Sequence, residues 1–234
     1  MKSHRWALIL ASLILSQSGA AFAATAEKPD KLVSVTVAQV GTHVITSRDV
    51  QMVSILDHWF LLNAAITPSK KQKPVDRKDW IPVRKSEAFN KQLSLVVMEH
   101  LVVTEAENFS VARISADEVA KYAHDIQEDL KSWPEWHSLE VSQVELENQV
   151  QRHLRAKEFL KFKTESMGFQ ISDDEAKAYY EQNRLRFNNL PYENFRDSIK
   201  EYLARRDVES KMKDWFDVLR KKYKVKLLQY ENSK

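Results

Sequence analysis

The sequence contains no cysteine and very little glycine, and each shortage excludes a class of structure. Of 234 residues, none is cysteine and only three are glycine. Without cysteine there can be no disulfide framework and no lipid-modified cysteine. Glycine-rich loops that bind phosphate groups are absent too. Since glycine concentrates in turns, a chain with so little is expected to have few tight hairpins and to be mainly helical.

The N-terminus has the pattern of a secretory signal peptide. Lys2 and Arg5 precede an apolar run over residues 6–15, and Ala23 completes an A-x-A cleavage pattern. The run is shorter than the roughly 20 apolar residues that a transmembrane helix needs. We therefore expect residues 1–23 to be cleaved, leaving a periplasmic protein, residues 24–234, without a transmembrane anchor.

The charge of the chain is close to balanced. The sequence has 36 Lys and Arg against 33 Asp and Glu, and removal of Lys2 and Arg5 with the signal leaves 34 basic residues. A nucleic-acid-binding protein normally has a clustered basic surface. Nucleic acid is therefore not an expected partner.

Two short segments at opposite ends of the mature chain predict strands. Residues 32–40, LVSVTVAQV, alternate apolar and polar side chains, and Gly41 follows at a predicted hairpin turn. Residues 224–230, KVKLLQY, begin with the same alternation. We expect the terminal strand to pair with the first, forming a small sheet that contains both ends.

Apolar periodicity and capping residues predict a series of helices between these strands. Three of them begin with the S-x-x-E pattern of a capping box, and a last helix of 30 or more residues begins with a proline. The predicted starts are Ser47, Ser86, Ser115, Ser142, Ser172 and Pro191. Gly168 is expected to end the long helix that begins near Gln143. The polar stretch 204–211 indicates a bend or an exposed part of the last helix.

Residues 67–86 interrupt this pattern as a basic loop insertion. They contain three prolines and seven Lys or Arg, and they lack a helical period. A long loop of this kind is either a solvated insertion or a functional one. In the second case Trp80 and Ile81 would contact a client protein or an anionic surface.

Four segments, taken in order, resemble the SurA and parvulin family of exported folding factors. Residues 35–50, VTVAQVGTHVITSRDV, resemble the family's opening strand, turn and helix, and residues 89–119 resemble its next helix and turn. Residues 171–183 are similar to the segment before the isomerase domain, and residues 212–227 to the closing helix and strand. The resemblance implies a mainly α, multi-helix chaperone module with a small β-sheet, divided into 33–170 and 171–228.

The family's isomerase domain has no place in this chain. Only Asn188, Asn189 and Leu190 separate the segment 171–187 from the helix predicted to begin at Pro191. The resemblance therefore implies no enzyme. It implies an ATP-independent chaperone that binds unfolded or extended segments of exported envelope and outer-membrane proteins. A dedicated protein that binds a single envelope or secretion partner remains the alternative, and a homodimer is compatible with either.

Five aromatic residues are the candidate peptide-binding side chains: Trp133, Trp136, Trp59, Phe60 and Trp80. The first two lie in SWPEWHSL, a proline-containing connection between helices, and large aromatics in a loop often mark a binding surface. Tryptophan at a helix junction is also a common packing anchor. Both interpretations are open from the sequence.

No catalytic residue, metal site or cofactor is predicted. His124 and Glu128 are four residues apart on one helix face, but two ligands do not make a zinc site. His100 lies on an apolar helix face and is interpreted as a core histidine. The acidic residues 173–175 fit the first turn of a helix, where negative charge is favourable. There is no G-x-S-x-G nucleophile motif.

Overall fold

The computed structural model describes residues 34–65, 76–167, 171–188 and 190–228. The predicted signal peptide, the helix end at Gly168 and the first part of the basic loop lie outside these ranges. None of the helices within them combines the length and the apolar character that crossing a membrane requires.

The fold is mainly helical with a small antiparallel sheet, as the sequence predicts. The α-helices of the described residues are α1 Ser47–Ala65, α2 Glu87–Asn108, α3 Ala116–Leu130, α4 Pro134–Ser138, α5 Gln143–Ser166, α6 Asp173–Gln182 and α7 Arg196–Lys222. The strands are β1 Thr36–Val40, β2 His43–Thr46 and β3 Lys226–Leu227.

The sheet joins the two ends of the described chain. Its strand order is β2-β1-β3, with both pairs antiparallel. Gly41 turns the β1–β2 hairpin at a φ of +59°, a conformation that glycine adopts without strain. Beyond β3, the amide of Leu228 donates to the carbonyl of Val37 at 3.0 Å. The predicted pairing of the first and last strands is confirmed.

Hydrogen bonds from capping side chains begin most of the longer helices where the sequence predicts. The hydroxyls of Ser86, Ser115, Ser142 and Ser172 each accept from the backbone N–H three residues later, at 3.1–3.2 Å. At α1 the amide of Thr46 donates to Asp49 at 2.8 Å, and Asp49 N donates back to Thr46 Oγ1. These bonds satisfy amides that have no partner within the helix.

The connection between α6 and α7 differs from the prediction. Helix α6 ends at Gln182, and residues 184–187 form a 3-10 turn closed by Asn188 at a φ of +51°. Pro191 is extended, with a ψ of 144°, so it lies outside α7, which begins at Arg196 after a second 3-10 turn. The predicted start at Pro191 is therefore wrong. Residues 204–211, for which the sequence left a bend or an exposed segment open, lie within the continuous helix α7.

The described residues belong to two compact units. The first runs to Phe159 and resumes at Leu219, and the second is Leu160–Val218. The sequence predicts a division at residue 170. The boundary between the two compact units lies within α5, between Phe159 and Leu160, so this helix contributes to both.

Arg48 ties the start of α1 to the start of α5 in the first unit. Its guanidinium donates to the carbonyls of Leu139 and Glu140 at 2.7 and 3.1 Å and forms an ion pair with Glu145. This pairing lowers the pKa of Glu145. The planar fork of an arginine suits such a set of acceptors, so Arg48 links the start of α1 to the residues that precede and begin α5.

Candidate functional site

The five predicted aromatic residues lie in one hydrophobic cluster of the first unit. Trp59, Trp80 and Trp136 are buried in it, and Phe60 and Trp133 pack against it half-buried. The structure therefore brings together residues from α1, the basic loop and the α3–α5 connection. Neighbouring side chains of the same unit therefore cover most of the surface of the three buried rings.

Specific contacts hold these rings in place. The indole N–H of Trp59 donates to Asp129 at 2.8 Å. The rings of Trp80 and Trp133 meet edge to face at 5.7 Å, and the guanidinium of Arg77 lies 5.4 and 5.6 Å from their centroids. This arrangement fits the packing-anchor interpretation for the buried rings. Contact of these residues with a client stays a prediction.

A second group of side chains joins three helices through two carboxylates and an imidazole. Asp57 comes from α1, Glu99 from α2 and His153 from α5. The Nδ1 atom of His153 lies 3.5 Å from Asp57 Oδ1 and 3.4 Å from Glu99 Oε2. One donor atom from each residue lies within 4.8 Å of the other two. We call these three residues the carboxylate–histidine cluster.

Two buried glutamines orient the carboxylates of the cluster. Gln92 Nε2 donates to Asp57 Oδ2 at 2.7 Å, and Gln149 Nε2 donates to Glu99 Oε1 at 2.7 Å. Gln149 in turn accepts from Arg152. Each glutamine donates to the carboxylate oxygen that lies farther from the imidazole. The remaining oxygens, Asp57 Oδ1 and Glu99 Oε2, therefore both face His153.

Helical spacing explains why each helix supplies its residues on one face. Residues three, four or seven apart lie on the same side of an α-helix. Gln149 and His153 are four apart on α5, and Asp57 and Phe60 are three apart on α1. The Phe60 ring stacks on the His153 imidazole at 4.2 Å, with an interplanar angle of 6°. The phenyl ring thus fixes the plane of the imidazole.

Burial and the charges of neighbouring side chains shift the pKa values of the three cluster residues, and the two effects oppose each other at Glu99 and His153. Burial raises the pKa of Asp57 to about 6, and the charge of Glu99 adds to the effect while His153 opposes it. Burial also raises the pKa of Glu99, but His153 and Arg152 bring it below its ordinary value. Burial lowers the pKa of His153, yet the two carboxylates hold it above its ordinary value. Asp57 is therefore the carboxylate of the cluster that holds its proton more strongly.

His100, the residue after Glu99, behaves as a neutral side chain. Burial lowers its pKa to about 4, and the positive charge of Arg152 contributes. Its ring lies 6.0 Å from that of His43. His100 is half-buried and is not among the buried residues, so its interpretation as a core histidine is not confirmed.

Sequence reasoning did not find the carboxylate–histidine cluster. Its members are far apart in the chain and show no ligand motif. The pair that the sequence did suggest behaves differently: His124 is exposed, and Glu128 forms an ion pair with Lys131 at 2.6 Å. A signal that could have helped is the polar Gln149 on an otherwise apolar face of α5, where it is only 1% exposed.

The second unit contains an apolar cleft of about 220 Å³ beside the α6–α7 connection. Its lining residues are Tyr179, Arg186, Phe187, Ser198, Ile199 and Tyr202. Small-molecule sites are usually larger, about 300–1,000 Å³. The cleft is therefore of a size for one large apolar side chain.

Exposed apolar side chains flank this cleft in the sequence. Leu185, in the 3-10 turn next to Arg186, is 87% exposed, and Leu190 and Tyr202 are exposed as well. The 3-10 turn itself is held by ring contacts, since Phe187 lies 4.9 Å from Phe195 and 5.3 Å from Tyr180. We call the cleft together with Leu185 the α6–α7 apolar surface.

Comparison of the chain with protein-family models and with curated proteins finds no match.

Proposed function

We propose that this protein is an ATP-independent chaperone that binds unfolded or extended segments of exported envelope proteins. The observation that carries the proposal is the α6–α7 apolar surface, where aromatic rings and an exposed leucine lie at the ordered connection between the two helices. Unfolded chains differ from folded ones in exposing apolar side chains, which such a surface can bury.

The energetics fit a binder of broad specificity. Burying one large apolar side chain is worth about 1.5–3 kcal/mol, and apolar burial has no directional requirement. A cleft that takes a single side chain therefore binds any one segment weakly. Many different segments can occupy it, and release needs no energy source.

The resemblance to the SurA and parvulin family supports the same role. A mainly helical module whose first and last strands share one sheet is what that resemblance implies, and both features are present. In this proposal the α6–α7 connection takes the place of the isomerase domain. We accordingly propose that the protein does not accelerate prolyl isomerisation, which a protease-coupled peptide assay measures directly.

The test compares substitutions on the proposed surface with a substitution on the other unit. Leu185→Ser removes the exposed leucine next in sequence to Arg186 of the cleft, and Tyr202→Ser removes a ring that lines the cleft. Val144→Ser removes an apolar side chain from α5 in the first unit, where Val144 is 67% exposed. We expect the wild type and Val144→Ser to suppress aggregation of several unrelated unfolded proteins at near-stoichiometric ratios. The double variant at 185 and 202 should protect them less.

Two results would count against the proposal. The first is wild-type protein that protects no unfolded client yet captures one envelope protein in a crosslinking pull-down, since this indicates a dedicated interaction protein. The second is undiminished protection by the double variant, which would remove the α6–α7 apolar surface as the binding site. Circular dichroism of each variant verifies that its fold is intact.

A further inference from the structure

The carboxylate–histidine cluster has a spacing that a hydrogen-bonded triad does not explain. His153 Nδ1 is almost equidistant from Asp57 Oδ1 and Glu99 Oε2, at 3.5 and 3.4 Å. Both distances exceed the 2.7–3.2 Å of a good hydrogen bond. The ring N–H has only one proton to donate, so it could reach both oxygens only as a long three-centre hydrogen bond.

The two nitrogen–oxygen distances are those between neighbouring ligands of a tetrahedral ion, and all three donor atoms lie within 4.8 Å of one another. With metal–nitrogen and metal–oxygen bonds of about 2.0–2.2 Å, neighbouring donor atoms lie about 3.4 Å apart. We propose that Asp57, Glu99 and His153 bind a divalent transition-metal ion of the Zn²⁺ class through these three atoms. Within the described part of the chain, no other three such side chains come this close.

The charge and chemistry of the donors agree with this assignment. One imidazole and two carboxylates suit Zn²⁺ and related ions, whereas Mg²⁺ prefers an octahedral shell of oxygens that includes several waters. A divalent ion would neutralise both carboxylates.

The surroundings provide the outer shell that metal sites require. Ligands of protein-bound metals are themselves held by hydrogen bonds from neighbouring side chains. Gln92 and Gln149 donate to the far oxygens of Asp57 and Glu99, and Phe60 fixes the imidazole plane. Three protein ligands leave a fourth position for water or another ligand.

Binding would cross-link α1, α2 and α5. An ion that binds only the folded state stabilises it in proportion to the logarithm of its concentration. The inference does not depend on the chaperone proposal, because all three ligands lie in the first unit and the α6–α7 apolar surface lies in the second.

Zinc binding is measured on the chelator-treated full mature chain by equilibrium dialysis with elemental analysis. We expect one ion per wild-type chain and loss of that ion in His153→Gln and Glu99→Gln, which preserve side-chain size or shape. His124→Gln is the matched control, because this histidine is exposed on α3, and it should bind as the wild type does. Gln149→Leu, which removes the hydrogen bond to Glu99 and the acceptor for Arg152 but no ligand, should weaken binding by about 10–100-fold.

A measurement on the wild type alone keeps the test decisive if the ligand variants do not fold. Diethylpyrocarbonate modification, mapped by peptide mass, should show that Zn²⁺ protects His153 but not His124, and that Mg²⁺ protects neither. The proposal is overturned if the wild type binds no Zn²⁺ at micromolar free ion, if His153→Gln binds equally well, or if Zn²⁺ leaves His153 unprotected. Equal protection by Mg²⁺ would overturn the assignment to transition metals.

Discussion

At the scale of single residues, the candidate aromatic side chains differ in how completely the protein covers them. Trp136 is 7% exposed and Trp59 is 4% exposed, whereas Phe109, on the same unit, is 62% exposed. A large ring stabilises the fold according to the area it removes from water. The buried indoles of Trp59 on α1 and Trp136 on α4 therefore contribute to stability through the area that they remove from water.

Substitution of Trp136 tests this assignment. Trp136→Ala should lower the free energy of unfolding by about 3–5 kcal/mol, because it leaves a cavity where a buried ring was. Phe109→Ala, the exposed control, should change it by less than about 1 kcal/mol. Urea unfolding followed by circular dichroism measures both. Equal unfolding midpoints for the two variants would contradict the packing-anchor interpretation and favour a role in client binding.

At the scale of elements, the N-terminus of α6 shows how a cap and an ion pair combine. The hydroxyl of Ser172 accepts from Glu175 N, and the carboxylate of Glu175 accepts from Ser172 N at 2.8 Å. Asp173 forms ion pairs with Arg196 and Lys200 of α7. The pairs lower the pKa of Asp173 to about 2, with Arg196 as the larger cause. They attach the start of α6 to the start of α7.

This lowered pKa predicts an acid-dependent loss of stability. The folded state binds the Asp173 proton more weakly than the unfolded state. The contribution of the ion pairs to stability is therefore complete above the ordinary pKa of about 4. It is lost as the pH falls toward about 2. Asp173→Asn should therefore be less stable than the wild type at pH 5, and the difference should narrow at pH 2.5.

The control for this experiment is Asp174→Asn, which removes a carboxylate from the same turn and leaves Asp173 paired. Urea unfolding of the three proteins at both pH values supplies the comparison. A difference between wild type and Asp173→Asn that stays constant with pH would contradict the ion-pair argument. An equal narrowing of the stability difference between wild type and Asp174→Asn would contradict it as well.

At the scale of the whole molecule, the last described residues of the chain contact the first ones within the first unit. Tyr223 O accepts from Gly41 N at 2.8 Å, and the Tyr223 hydroxyl and the Lys222 ammonium both bond to the buried Glu105. Beyond them β3 pairs with β1. The β3 side chains are exposed, so this strand contributes mainly through its backbone hydrogen bonds.

Truncation tests that contribution. A chain ending at Val225 lacks β3 and leaves the β1 edge unpaired, so its free energy of unfolding should fall by at least about 1 kcal/mol, the net value of one hydrogen bond. A chain ending at Leu228 keeps the strand and should match the full-length protein. Urea unfolding distinguishes the two chains. Equal midpoints would mean that β3 does not stabilise the sheet.

Local signals in the sequence account for most of the secondary structure. The serine caps set the starts of α2, α3, α5 and α6, since each hydroxyl bonds an amide only three residues away. The connection at Asn188 and Pro191 was less predictable, because both a helical and an extended conformation are open to the residues around it. Which one forms depends on ring contacts such as Phe187 with Phe195, which join residues on either side of the connection and leave no capping pattern.

The sequence by itself determined the helical class, the positions of the caps and the existence of the first and last strands, because these follow from local hydrogen bonds and from apolar periodicity. Only the tertiary structure decided which aromatic rings are covered and that Asp57, Glu99 and His153 meet. Burial and proximity depend on how three helices cross, and residues on separate helices leave no pattern of spacing in the chain. The carboxylate–histidine cluster is therefore a property of the fold.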